Sequence, residues 1–560
     1  MRFYEVLPAD SRYQGDTPLV YNHPDELTAL TVVTVPLRQR MVTGFVIKKV
    51  SKPPFATKPV KIILSTHPLP KVYLDLAYWI KNYYACRLGD ALKLFAPSTA
   101  SIRPTAIQPA KDRETVQLEF DQPLTADQGQ ALESIKTYSG TSILLHGDTG
   151  TGKTRVYLEL AKDTIAAGRS VILLTPEIAL TSQLASIFHK NLHAPIFIHH
   201  SQLTVAHRKK IWQSVLNSEE PVVVIGPRSA LFTPVKNLGL VVIDEAHEPS
   251  YKQDQSPRYH TSRVASQLGR LTGARVILGT ATPLLADYYL ATQHKAVVRM
   301  KTPAVGSKYT GFDASIVDLR QRNNFSGNPY LSNHLLEALK HTLESKKQVL
   351  IYLNRRGTAR LILCVNCGWQ LLCPDCDIPL VYHGDDFVVR CHTCGYSEEP
   401  PKSCPDCNHL DVIYKNIGTK SLAENLAKLF PNHRLQRFDS DSAAGQRINE
   451  VYANLRSGGI DILVGTQLLA KGFDLPKLGL VGVIAADSSM SLPDFSAEER
   501  TFQLLYQVIG RVGRGHGSGK VIVQTYNPSS PALQAAVNRK WQELYEYGIK
   551  ERQKYRFPPV

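Results

Sequence analysis

The chain has 560 residues, of which 43% are hydrophobic and 20% charged, enough apolar material for several domains that each bury a core. That balance excludes a disordered polymer, and no run of 18 apolar residues is present to cross a bilayer as a helix. The formal charge of +16, from 65 Lys and Arg against 49 Asp and Glu, favours a polyanionic partner, because a basic protein releases counterions from a phosphate polymer.

Residues 1–12 lack the apolar core of a secretory signal, so the expected compartment is the reducing cytoplasm, with no membrane partner. Residues 1–66 alternate apolar and polar side chains between prolines and glycines, which predicts a small β-domain. Residues 67–97 follow a helical period, in which Cys86 is expected to be a buried apolar residue, and a polar linker runs to residue 123. From residue 124 the pattern is α/β. Short β-branched runs at 170–175, 222–226, 241–244 and 275–279 alternate with helical stretches, and a second set follows at 348–353, 461–465, 480–485 and 520–524. Alternation of this kind predicts parallel sheets covered by helices on both faces, in lobes spanning 124–305 and 306–560.

The run Gly147, Asp148, Thr149, Gly150, Thr151, Gly152, Lys153, Thr154 fits G-x-x-x-x-G-K-[ST] between an apolar run and a helical one. In that context backbone N–H groups wrap phosphates, Lys153 neutralises them and Thr154 ligates Mg²⁺. A buried strand later ends in Asp244 and Glu245, the carboxylates that hold the metal and activate the attacking water. ATP and Mg²⁺ are therefore expected cofactors. One phosphate loop for two sheets predicts a single nucleotide site, completed by residues of the second lobe.

Eight of the nine cysteines fall within residues 364–407 as four C-x-x-C knuckles: Cys364/Cys367, Cys373/Cys376, Cys391/Cys394 and Cys404/Cys407. In a reducing compartment they predict two tetrahedral Zn²⁺ sites rather than disulfides. Three pairings are possible. Only five residues (368–372) separate the first two knuckles, whereas fourteen (377–390) separate the second and third, close to zinc-ribbon spacing. That favours a nested arrangement, with Cys364, Cys367, Cys404 and Cys407 on one ion and Cys373, Cys376, Cys391 and Cys394 on the other. Both ions are expected to be structural, in an insert over 358–412.

Thr175-Pro-Glu, His200-Ser201, Gly226-Pro-Arg228, Gly279-Thr280-Ala281-Thr282, Gly465-Thr466-Gln467 with Lys471, and Gly510-Arg511 with Gly513-Arg514 occur in this order. The series resembles superfamily 2 helicases. It implies two RecA-like lobes, Gln128 at the adenine, Arg511 and Arg514 completing the nucleotide site, and Thr280 and Thr282 linking hydrolysis to lobe movement. Together with the zinc insert and the aromatic-basic stretch 251–260 after the acidic pair, the chain resembles the PriA family of primosomal replication restart helicases. That resemblance implies a 3′→5′ ATP-dependent DNA helicase that recognises stalled forks and D-loops and promotes primosome assembly. It also implies a nested zinc pairing, an N-terminal domain that binds DNA 3′ ends, and single-stranded DNA-binding and helicase-loading proteins as partners. The expected state is a monomer at the nucleoid. Arg228, Tyr251, Arg258 and Tyr259 are the expected DNA contacts, with tyrosine rings stacking on bases and arginines meeting phosphates.

The departures from the family are specific. Only residues 98–123 separate Pro97 from Leu124, too few for the family's winged-helix domain, and the sequence stops at Val560, short of its C-terminal domain. The chain thus reads as a minimal or a truncated form. Leu30 stands where a glycine is usual, Leu19-Val20-Tyr21 replaces a Phe-Asp/Ser-Tyr pattern, and the acidic motif carries Ala246. Two rivals follow: a non-unwinding fork-binding scaffold or duplex translocase that recruits primosome partners, and an RNA helicase, against which the zinc knuckles and the aromatic stretch argue.

Overall fold

In the computed structural model the described residues are 1–65, 67–97, 123–176, 178–200, 202–304, 312–326, 328, 330–353, 362–364, 369, 371–375, 380–383, 387–391, 394–410, 412–413, 419–438, 454–455, 457–466, 475, 477–486, 490, 494–512 and 519–560. They form two compact units, Met1–Pro283 with Asp287–Ala304, and Leu284–Ala286 with Val305–Val560.

The first unit begins with a six-stranded sheet in the order Lys58–Pro59, Leu19–His23, Arg2–Pro8, Arg40–Val50, Val32–Leu37, Ile62–Ile63. Period-two alternation sends Val6, Val33, Val35 and Val46 to a core on one face, while Leu7, Val32 and Phe45 join a larger core on the other. Helices Lys71–Tyr83 and Leu88–Phe95 supply Tyr73, Leu76, Ile80 and Phe95 to that larger core, which continues into Trp212, Phe232 and Tyr259. Leu30 keeps a left-handed backbone (φ 64°) at the position where the family pattern has glycine, a conformation that costs a leucine about 1 kcal/mol. Cys86 is half-buried rather than fully buried, and its thiol points at the Ile80 carbonyl at the end of the helix.

The same unit carries a seven-stranded, all-parallel sheet in the order Val297–Met300, Ser142–Gly147, Arg275–Thr280, Leu238–Ile243, Ser170–Leu174, Val223–Gly226, Ile196–Ile198. Leu238–Ile243 is buried at every position, as a strand covered on both faces must be. The strand order sets the carboxyl ends of Ser142–Gly147, Arg275–Thr280 and Leu238–Ile243 side by side, the edge at which parallel α/β sheets bind ligands.

The second unit holds a six-stranded parallel sheet in the order Phe312–Asp318, Gly519–Thr525, Leu478–Ile484, Gln348–Leu353, Ile462–Gly465, Leu435–Phe438. Helix Ala497–Ile509 contributes Glu499, which meets Arg552 of helix Trp541–Tyr555 in a buried ion pair at 2.6 Å. Between Gln348–Leu353 and Leu435–Phe438 lie two small antiparallel sheets of strands two or three residues long, which carry the cysteines.

Candidate nucleotide site and cysteine clusters

Thr125 opens helix Ala126–Thr137 with a capping box: its hydroxyl accepts the Gln128 N–H and the Gln128 side chain accepts the Thr125 N–H. The same Gln128 amide then donates to the Thr151 carbonyl at 3.1 Å, so this buried side chain braces the phosphate loop. Gly152 caps helix Lys153–Ala166 with left-handed backbone (φ 80°), and a Cβ there would sit 2.3 Å from Gln128 Nε2. Glycine is required twice over, by conformation and by space.

The rest of the loop is tied to its surroundings. Asp148 receives Arg299 at 2.8 Å, its N–H donates to the Met300 carbonyl, and the Gly150 carbonyl accepts from Ala304. The Thr151 hydroxyl donates to the Asp148 carbonyl, and Lys153 Nζ donates to the Gly147 carbonyl at 2.8 Å. Thr149 and Thr154 are half-buried, Thr154 in the first turn of the helix. Free N–H groups and the positive end of the helix dipole make this a site for an anion.

Asp244 follows strand Leu238–Ile243, where its N–H donates to the Leu174 carbonyl. Burial and the neighbouring Glu245 carboxylate push the Asp244 carboxyl up to about 6, while Lys153 pulls it down. Tyr157, one turn along the helix that starts at Lys153, donates its hydroxyl to Asp244 Oδ1 at 3.0 Å. Only glycine fits at position 279, because a Cβ there would lie 1.7 Å from the Tyr157 oxygen. Glu245 has left-handed backbone (φ 46°), a strain of roughly 1 kcal/mol placed at the carboxylate itself. His247 Nδ1 lies 2.6 Å from Thr280 Oγ1, which also accepts the Thr282 N–H at 3.0 Å. The acidic strand end and the Thr280 strand end are thereby joined.

The sequence pattern does not single out Tyr157 or the His247–Thr280 contact. Tyr157 reads there as one apolar position of a helix, and nothing local marks it as the partner of a carboxylate 87 positions away.

The expected DNA contacts divide. Arg258 is exposed and Arg228 half-buried, its guanidinium donating to the Ser250 and Lys252 carbonyls. Tyr251 and Tyr259 are only 1% and 3% exposed, so the expectation that their rings stack on bases is corrected: neither offers a free face. Tyr251 donates its hydroxyl to the Asp244 carbonyl at 2.7 Å, and Tyr259 ends an edge-to-face series through Phe232 and Phe95 to Tyr73. Arg511 is half-buried on the turn after helix Ala497–Ile509, its N–H donating to the Val508 carbonyl. Arg514, Gln467 and Lys471 lie outside the described residues.

Among the cysteines, Cys364, Cys404 and Cys407 gather in one cluster and Cys373, Cys391 and Cys394 in another, with all sulfurs of each cluster within 4.8 Å. The Cys364–Cys407 and Cys373–Cys394 sulfurs are both 3.5 Å apart, near the roughly 3.8 Å edge of a tetrahedron of sulfurs around zinc. The donor set therefore suits zinc and follows the nested pairing; Cys367 and Cys376 lie outside the described residues. Gly395 (φ 83°) and Asn408 (φ 56°) directly follow their knuckles in left-handed conformation, which turns the chain around the sulfurs.

Residues 8–97 match the 3'DNA-binding domain (3'BD) family, 125–288 the DEAD/DEAH box helicase family, 373–398 the PriA DNA helicase Cys-rich region and 409–516 the helicase conserved C-terminal domain. The chain is 34% identical over 546 residues to the replication restart protein PriA of Treponema pallidum, covering 96% of this chain and 82% of that one. It is 37% identical over 524 residues to that of Rickettsia conorii, with 92% and 79% covered. With that of Bacillus subtilis the identity is 36% over 442 residues, covering 78% of this chain and 55% of the relative. Among solved structures, RecG bound to a three-way DNA junction aligns at 18% identity and TM-score 0.45, covering 77% of this chain and 47% of that one. A braced phosphate loop facing paired carboxylates, a second helicase lobe and two cysteine clusters thus accompany this likeness, and the chain belongs to the PriA family of replication restart proteins, carrying that family's ATP-dependent DNA helicase motor.

Proposed function

We propose that this chain hydrolyses ATP to move 3′→5′ along DNA, acts at stalled or collapsed forks and D-loops, and promotes primosome assembly for replication restart. Residues 1–66 serve as the DNA-binding domain, 124–305 and 306–560 as the motor lobes, and 358–412 as a two-zinc module. Lys153 holds the β- and γ-phosphates, Glu245 positions or activates water, and Arg511 and Arg514 complete the site. Thr154 and Asp244 would hold Mg²⁺, which when bound neutralises phosphate charge. Gln128 faces adenine, and Arg228 and Arg258 meet DNA phosphates. The partners are forked and single-stranded DNA, single-stranded DNA-binding protein and a helicase loader, met by a monomer at the cytoplasmic nucleoid.

The observation that carries this reading is that the phosphate loop ahead of Lys153, Thr280 and Asp244 leave three adjacent strand ends, with Lys153 acting on the Asp244 carboxylate, in a chain whose relatives are restart proteins. Its test is strand displacement, with ATP, on a fork bearing a duplex lagging arm and a 3′-OH leading end at the junction. Unwinding by the wild type and none by Lys153→Ala is the expected result. Tight fork binding without unwinding by either protein would replace the reading with a restart scaffold or duplex translocase.

A further inference from the structure

A cleft of about 560 Å³ opens inside the first unit where the N-terminal sheet meets the seven-stranded sheet. Arg12, Lys93, Arg208 and Lys209 all line it, and Asp10 is the one carboxylate among its described lining residues. Asp10 is already engaged by Arg12 through two hydrogen bonds of 2.8 and 3.0 Å, which hold its carboxyl below the usual range. Lys93 also acts on Asp10 through its charge, though without a hydrogen bond, whereas Arg208 and Lys209 meet no carboxylate among the described lining residues. Lys93 and Lys209 make no ion pair or side-chain hydrogen bond among the described residues, and Arg208 Nε, shielded from solvent, has no acceptor among them. Burial lowers the Lys209 ammonium, a sign that its charge is partly stripped of water. His199 on the same wall is held down to about 4 by burial and by Arg208, so it is neutral near pH 7 and offers hydrogen bonds rather than charge.

Lys93 is exposed, whereas Arg208 and Lys209 are half-buried, and gathering like charges where part of their water is removed is unfavourable unless an anion shares the space. Several singly charged groups around one volume suit a chain of phosphates better than one small ion. Trp212 and Tyr259 add aromatic edges to the lining, and the volume lies within the range of pockets that enclose a drug-sized ligand, about 300–1,000 Å³. None of residues 19–21, 30, 33–36 or 44–46, where the family resemblance puts 3′-end recognition, lines the cleft, although the adjoining Thr43 does.

We propose that this cleft binds one or two nucleotides of single-stranded DNA, with Lys93, Arg208 and Lys209 on the phosphates. The inference rests on the DNA-translocase reading above and adds a contact site between the N-terminal domain and the motor. One lining residue, Tyr259, is also linked through hydrogen bonds to the acidic strand end. The Tyr259 carbonyl accepts the Gln253 N–H at 2.9 Å, in the loop whose Tyr251 hydroxyl bonds the Asp244 carbonyl.

The test is fluorescence anisotropy of a labelled dT oligonucleotide, titrated with the full chain at several KCl concentrations. Lys93→Glu/Lys209→Glu should bind about tenfold more weakly at moderate salt, with the slope of log affinity against log salt reduced by roughly one to two. Lys93→Arg/Lys209→Arg should restore affinity, which a folding defect would not allow. Lys190→Glu/Lys340→Glu makes the same change in net charge on exposed lysines outside the cleft, and should shift affinity less than about threefold. Equal losses in both glutamate variants would reduce the effect to overall charge and overturn the cleft. Unchanged affinity in the first variant would overturn it too, while leaving the motor reading intact. No binding by the wild type would sink both.

Discussion

Asp244 and Thr280 stand at the ends of six-residue strands, and the loop leading to Lys153 leaves a third, all buried along most of their length, whereas the cysteines sit in and around strands of two or three residues. The nucleotide corner inherits its geometry from the apolar sheet beneath it, where Leu145, Val242 and Ile277 share one core. The cysteine region has a small cluster of its own, Ile362, Leu371, Leu380, Val389 and Val412, in which four of the buried members are the thiols themselves. Apolar packing therefore suffices to position the catalytic groups on the sheet, while a small insert draws much of its core from the metal-binding thiols themselves.

Metal removal would test that contrast most severely. Zinc sites of this kind contribute about 10–16 kcal/mol of binding that is also folding energy. A strong chelator should strip hydrogen-exchange protection from the described parts of 362–413 while leaving strands Ser142–Gly147 and Leu238–Ile243 protected. Cys373→Ser/Cys391→Ser should lower the zinc content from two ions per chain to one, read by atomic absorption. Loss of protection in the first unit after chelation would break the comparison.

The converse perturbation is Lys153→Ala. Lys153 Nζ makes one hydrogen bond to a backbone carbonyl, that of Gly147, so the fold has little to lose. Hydrolysis should fall on the order of a thousandfold in kcat/KM, near 4 kcal/mol of transition-state stabilisation, while the melting temperature barely moves. Steady-state phosphate release and calorimetry on one preparation would read both. A large drop in melting temperature would mean that the loop is part of the scaffold.

How much of this was legible in the sequence follows the range of the interactions. The phosphate loop, the acidic pair and the C-x-x-C knuckles are contiguous, and local spacing is all their chemistry needs. The α/β order followed from fully apolar runs such as 241–243 and 349–351, and the nested sulfurs from loop length. Tyr251 and Tyr259 went wrong because their environment is built from distant residues. Tyr73 and Phe95 come from the N-terminal helices, and only their packing on Phe232 turns an aromatic loop residue inward. At Leu30 the sequence shows only that a leucine stands where glycine is usual; that the backbone there is left-handed is visible in the structure alone.

Tyr157 and Gly279 test how rigidly the sheet holds the corner. Gly279→Ala drives a Cβ into the Tyr157 hydroxyl and should cost about 1–3 kcal/mol in denaturant unfolding. Tyr157→Phe removes that oxygen together with a hydrogen bond to a carboxylate, for a loss of roughly 1.5–3 kcal/mol. Combined, the two should cost less than their sum, with a coupling of about 0.5–3 kcal/mol, because the second change removes what the first collides with. Simple additivity would show that the helix slides to make room, and that the corner is softer than its buried strands imply.

The smallest effect separates the two regions by acid. Burial, with Arg299 and Lys153 nearby, holds His146 down to about 2, against an ordinary value near 6.5. Below 6.5 the unfolded chain binds a proton that the folded chain refuses. The stability contributed by neutral His146 is therefore complete above 6.5 and lost as pH falls toward 2, at about 1.4 kcal/mol per unit. Asp244, raised to about 6, has the opposite sign: the folded state takes up its proton first, which favours folding as pH falls below 6. His146→Gln should thus flatten the fall in first-unit stability between pH 7 and pH 5 by about 2 kcal/mol, leaving the Asp244 contribution in place. The zinc clusters also weaken in acid, through protonation of thiolates, but that loss is common to both proteins and cancels in their difference. An acid response identical in wild type and His146→Gln would locate the sensitivity in the cysteine region, and would leave the nucleotide corner held by its sheet alone.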